Sequence, residues 1–248
     1  MVQIKQLTKT FENSGTVALN KLNLSVSKGS IYGLVGANGC GKTTVIKHLA
    51  GVYKADEGEV LIDGQNIYDN PLKKALIAYV PDDLYFFPQY NLKMLGKFYK
   101  NMYPSWSDER FKKLISLLNL NPKGYLNRFS KGMKKQAIMV IALSIKPQLL
   151  LLDEPTDGLD PLVRKKLFQW IIEDVADRNM TVLFSGHNLK EMDGLCDTIG
   201  FLKNGEMIME KDLDELKSQL SSQIEHEQPT LDELFEHIYE TKGEGAND

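Results

Sequence analysis

Two hydrophobic rhythms share this chain. Over 2–7 and 19–26 apolar and polar residues alternate, as in strands with one face buried. The second of these runs into Lys28-Gly29, a turn signal. Residues 31–35 form a short apolar strand, a glycine-rich turn follows directly, and 43–49 reads as a helix stopped at Gly51. Residues 58–64 predict a strand bounded by glycines, and 77–80 another, ended by Pro81. The rhythm then turns helical over about 84–146. Leu92, Leu95, Phe98, Tyr99 and Met102 share one helical face, and Phe111, Leu114, Ile115, Leu117 and Leu118 another. Ser107, followed by Asp108 and Glu109, marks the start of the second helix, where carboxylates favour the helix dipole. A third helix starts near Ser130 and carries Ala137, Ile138, Ile141, Ala142 and Ile145. Strand pattern returns at 149–152, 181–185 and 198–202, with helices predicted over 161–177 and 189–195. A helical insert of about 60 residues thus interrupts an alternating β/α chain, which predicts an α/β fold with a parallel sheet core and a helical lobe.

Composition narrows this picture. The chain has 248 residues, 42% hydrophobic and 25% charged, as in a globular protein. No apolar run approaches the ~18 to 20 residues that cross a bilayer. The first residues, MVQIKQLTKTF, have no apolar signal-peptide core, so the expected location is the cytosol. Cys40 and Cys196 are then expected as two free thiols, and without a CxxC or Cys/His cluster no zinc site is expected. Net charge is −3, unevenly spread: residues 221–248 carry eight acidic side chains against Lys242 alone, leaving 1–220 at about +4. The domain reading is therefore one unit over 1–220, with the helical lobe inserted, and an acidic helix or tail over 221–248. That balance lacks the strongly basic face of a nucleic-acid binder.

The chemistry concentrates at strand ends. Gly36-Ala37-Asn38-Gly39-Cys40-Gly41-Lys42-Thr43 matches GxxxxGK[ST], with a strand before and a helix after. Its glycines let successive N–H groups point into one nest for phosphate oxygens, reinforced by the helix N-terminus. Lys42 is expected on the β- and γ-phosphates and the Thr43 hydroxyl on Mg²⁺. Leucines 149–152 deliver Asp153 and Glu154 to the carboxyl end of a buried strand, where α/β ligands bind. Asp153 is expected to hold Mg²⁺ and Glu154 to orient or deprotonate the attacking water. His187 follows the strand 181–185, in place to donate a hydrogen bond to a γ-phosphate.

These motifs resemble the nucleotide-binding domain of ABC transporters over nearly the whole chain. The phosphate loop matches at 36–43, the acidic strand at 149–154, the D-loop at Gly158-Leu159-Asp160 and the switch histidine at His187. The signature, usually LSGGQ in the family, is similar to Phe129-Ser130-Lys131-Gly132-Met133, where Lys131 replaces a glycine and Met133 a glutamine. Tyr79-Val80-Pro81-Asp82-Asp83 resembles the Q-loop, with Asp82 in the place of its glutamine. Residues 57–64 resemble the family's antiparallel arm. SKGMKKQ together with the acidic Q-loop is similar to bacterial exporters of antimicrobial peptides or cell-envelope compounds.

The resemblance implies a P-loop NTPase fold: a RecA-like parallel sheet core, an antiparallel β arm and an inserted helical subdomain. It implies an ATPase that uses ATP and Mg²⁺, with Phe11 stacking on adenine and 36–43 plus Thr44 around the phosphates. Catalysis falls to Glu154, His187 and Lys42, and the metal to Thr43, Asp82 and Asp153. Ser130 and Gly132 are implied to serve the ATP of a second nucleotide-binding subunit, homo- or heteromeric, in a head-to-tail dimer. A separate transmembrane permease would hold the chain on the inner face of the membrane. Phe86, Phe87, Pro88, Tyr90 and Leu92 either line the groove that receives that permease or are core packing. The alternative is a soluble ABC ATPase with an assembly or regulatory role.

Overall fold

The computed structural model describes residues 1–186 and 192–221. His187, residues 189–191 of the helix expected over 189–195 and the acidic tail beyond 221 lie outside the described residues.

In chain order the strands are β1 (Val2–Phe11), β2 (Thr16–Val26), β3 (Ile31–Val35), β4 (Glu57–Ile62), β5 (Gln65–Asn66), β6 (Ile77–Val80), β7 (Leu149–Asp153), β8 (Thr181–Gly186), β9 (Thr198–Lys203) and β10 (Glu206–Asp212). The described helices are α1 (Lys42–Leu49), α2 (Pro71–Lys74), α3 (Leu92–Met102), α4 (Asp108–Leu117), α5 (Lys131–Ser144), α6 (Pro161–Arg178) and α7 (Leu213–Ser221). They build two sheets, a four-stranded one in the order β2-β1-β4-β5 and a six-stranded one in the order β10-β9-β3-β8-β7-β6. The first is antiparallel. The second is parallel except for β10, which runs against β9.

The expected α/β class, parallel core, antiparallel arm and helical insert are all present. Periodicity missed β5 and β10. Both follow two-residue turns in which both residues have positive φ, Asp63 (49°) with Gly64 (73°) and Asn204 (49°) with Gly205 (81°). That geometry suits the right-handed twist of a hairpin and selects Asp-Gly and Asn-Gly. The expected strand 58–64 therefore ends at Ile62 and turns back.

The four leucines of β7 explain the position of the core. All are 0% exposed, as a central parallel strand covered on both faces requires. Leu149 and Leu151 join a cluster with α1 and the antiparallel arm, while Leu150 and Leu152 join one with α5 and α6. The helical lobe is tied to the core by Asp174 of α6, which accepts from Arg110 of α4 (2.7 Å) and Arg178 (3.1 Å). The three α-helices of the lobe, α3, α4 and α5, each begin on a side-chain cap. Asn91 accepts from the Met94 N–H, Ser107 from Arg110 and Ser130 from Met133. Both cysteines are free, as expected, and both are buried.

Candidate functional site

The parallel strands β3 and β7 end side by side with β8, so their carboxyl ends converge on one cleft. A cavity of ≈ 770 Å³ opens there, lined by Phe11, Asn38, Gly39, Gly41, Lys42, Thr43, Thr44, Asp82 and Glu154, with Asp157, Asn204 and Gly205. Most of the residues singled out by the motifs thus meet at one place, although they are dispersed over much of the sequence.

The phosphate loop is held from behind. Gly36 cannot carry a side chain, because a Cβ would lie 2.3 Å from the Leu202 carbonyl and 2.5 Å from Cys40 Sγ. Gly41 takes φ 113°, a glycine conformation, and its carbonyl accepts from Val45 to start α1. Cys40 is buried and does not line the cleft, and burial pushes its thiol above the ordinary value with the Lys42 charge opposing. Its N–H donates to the Ala37 carbonyl (3.2 Å) and its own carbonyl accepts from Gly205 (2.9 Å). Gly205 in turn accepts from the Asn20 N–H (3.0 Å), so the β9–β10 hairpin braces the loop against β2.

Lys42 is only 6% exposed and donates to the carbonyls of Gly36 (2.7 Å) and Ala37 (3.3 Å). Its Nζ is 3.5 Å from Glu154 Oε1. Thr43 donates to Asp153 Oδ1 at 3.1 Å, and Ser185 donates to the same oxygen at 2.7 Å. Asp153 is 1% exposed, so those hydroxyls satisfy a carboxylate taken out of water. Thr43 and Asp153 together present hard oxygen donors of the kind Mg²⁺ prefers. Among the described residues no three His, Cys, Asp or Glu side chains gather as a metal group.

Phe11 lines the mouth of the cleft, edge-on to Tyr53 (ring centroids 5.6 Å) with Lys9 6.0 Å from its centroid. Asp82 also lines the cleft, and its Oδ1 is 3.3 Å from Lys135 Nζ. Ser130 and Gly132 do not line it. They cap and open α5, where a Cβ on Gly132 would lie 2.5 Å from the Gly158 carbonyl. Gly132→Ala is therefore expected to destabilise the fold by about 1–3 kcal/mol through overpacking, read by denaturant melts.

The aromatic cluster divides. Leu92 is 0% exposed and belongs to the core, whereas Phe87 is 55% exposed and, with Phe86 and Tyr90, lines a separate hollow of ≈ 200 Å³. Sequence reasoning missed Lys135, Ser185, Asn204 and Gly205. Only the Asn-Gly dipeptide carried a local signal, its hairpin preference.

A family model described as "ABC transporter" matches residues 19–157. The chain belongs to the ABC transporter family. It is 34% identical over 219 residues to the ABC transporter ATP-binding protein YtrB of Bacillus subtilis (strain 168), covering 88% of this chain and 74% of that one. It is 34% identical over 226 residues to the lantibiotic transport ATP-binding protein SrtF of Streptococcus pyogenes, covering 86% and 92%. A solved structure of the ATP binding subunit of an ABC transporter superposes with TM-score 0.85 at 27% identity, covering 96% of this chain and 99% of that one. The chain is thus an ATP-binding ABC subunit and an ATPase. No helix among its described residues is long and apolar enough to cross a membrane.

Proposed function

We propose that this ABC ATPase powers export through a separate transmembrane permease, and that two nucleotide-binding subunits close head-to-tail on two ATP. The observation that carries this reading is that Lys42, Thr43 and Glu154 line one cleft, with Asp153 buried behind Thr43 and hydrogen-bonded to it, while Ser130 and Gly132 do not line that cleft. Ser130 and Gly132 are then available for a nucleotide held by the neighbour. In this reading Phe11 stacks on adenine, and the loop 36–43 with Thr44 cradles the phosphates. Lys42 leaves its loop carbonyls for the β- and γ-phosphates. Thr43, Asp153 and Asp82 would hold Mg²⁺, whose role is to neutralise developing charge on the phosphates. Glu154 accepts the proton of the attacking water. His187, outside the described residues, is proposed as the γ-phosphate sensor on chemical grounds alone.

The ATPase unit is proposed to span 1–220, with the helical subdomain at about 84–146 and the acidic tail as a separate element. The chain would lie on the inner face of the membrane through its permease, and SrtF, named for lantibiotic transport, makes a peptide or envelope compound the favoured cargo class. The exposed Phe87 and its hollow support a docking role for that aromatic cluster over pure packing. No nucleic acid partner is proposed.

Light scattering tests the dimer. The Glu154→Gln chain is expected to double its mass with Mg²⁺ and ATP and to remain a monomer with ADP. A Ser130→Arg change in the same chain is expected to keep it monomeric. A monomer under all three conditions would overturn the sandwich for the homodimeric case, and repetition with the permease present tests the heteromeric one.

A further inference from the structure

Lys135 lies one turn into α5 and is 1% exposed. A buried ammonium is costly unless its donors are matched, and an apolar residue of similar volume often serves stability as well. Here the donors have two specific acceptors. Nζ is 2.9 Å from the carbonyl oxygen of Glu154 and 3.3 Å from Asp82 Oδ1. Glu154 itself has φ 46°, a left-handed conformation that a non-glycine residue rarely adopts. Its N–H donates to Ser185 Oγ at 3.2 Å. The two peptide groups that flank the Glu154 Cα are therefore each held by a side chain, one from β8 and one from α5. Strain of this kind persists only where the surroundings over-determine it.

We propose that Lys135 is a positioning residue for ATP hydrolysis: its ammonium clamps the Glu154 carbonyl and so aims the Glu154 carboxylate, with Asp82 as its counter-ion. Asp82 stands where the family usually has a neutral glutamine, and the added negative charge is met by a positive one from the signature-bearing helix. One ammonium thereby joins the Q-loop stretch, α5 and the carboxylate that works on water. The inference rests on Glu154 as the base of the proposed function.

The experiment uses the full chain, with steady-state kinetics and equilibrium binding of a fluorescent ATP analogue. Lys135→Met is expected to lower kcat at least roughly tenfold, about 1.4 kcal/mol in barrier, with KM for ATP changed by less than about twofold. The stoichiometry of bound analogue stays that of the parent. Lys135→Gln, which keeps an N–H donor for the carbonyl, is expected to recover part of the loss, and it carries the comparison if the methionine variant does not fold. In a Glu154→Gln background, Lys135→Met is expected to change single-turnover hydrolysis by less than about twofold, because a residue acting through Glu154 has nothing left to position. Parental kcat in folded Lys135→Met or Lys135→Gln overturns the proposal. So does a loss of binding sites in proportion to kcat, which would mark a structural role. Full turnover in Glu154→Gln alone would instead overturn the assignment of the base.

Discussion

Glu154→Gln is expected to lower steady-state ATP turnover by roughly 10²–10⁴-fold, the usual worth of a positioned general base. The change keeps size and shape but replaces one carboxylate oxygen with an NH₂ donor and removes the proton acceptor. Glu154 is 14% exposed and its Oε1 lies 3.5 Å from the Lys42 ammonium, so the carboxylate faces the end of the cleft where phosphates are expected. The amide still fills that space, and nucleotide affinity is expected to stay within about threefold of the parent, since uniform binding is largely untouched. Phosphate release assays beside nucleotide titration separate the two effects. Turnover near the parental rate would move the base to another group.

Gly36→Ala is expected to weaken ATP binding by roughly 10²-fold, the cost of misplacing binding groups by about an ångström. The added Cβ would meet the Leu202 carbonyl at 2.3 Å and Cys40 Sγ at 2.5 Å. Leu202 belongs to β9, which pairs with β10 on one side, Leu202 opposite Met207, and with β3 on the other, so its backbone has little room to retreat. The loop must move instead, and it carries the Gly36 carbonyl that accepts from Lys42 at 2.7 Å. Gly194→Ala is the control: nothing lies within 4 Å of its added Cβ, and neither binding nor turnover should change. Equal behaviour of the two variants in a nucleotide titration would refute the steric account.

The phosphate loop and the acidic strand were legible because each is local. A glycine nest needs glycines at fixed spacing between a strand and a helix, and a strand buried on both faces needs an unbroken apolar run such as leucines 149–152. The helical lobe was legible for a similar reason, since its period differs from that of the strands around it. β10 was not, because Met207, Ile208 and Met209 form a short apolar run that is only partly buried and does not alternate. Its local signal is the Asn204-Gly205 turn before it.

Sequence alone determined which residue types could meet a nucleotide: Lys42, Thr43, Asp153 and Glu154 follow from spacing and strand position. Only the tertiary structure decided their partners. Ser185 reaches Asp153 because β7 and β8 are paired in register, Asp153 opposite Ser185. Gly205 reaches Cys40 because a hairpin from the far end of the chain folds against the phosphate loop. Lys135 reaches Asp82 and Glu154 because α5 packs beside β6 and β7, although 53 and 19 residues separate it from them in sequence. Such contacts leave no local periodicity, since a buried lysine in a helix reads as a surface one until its neighbours are known.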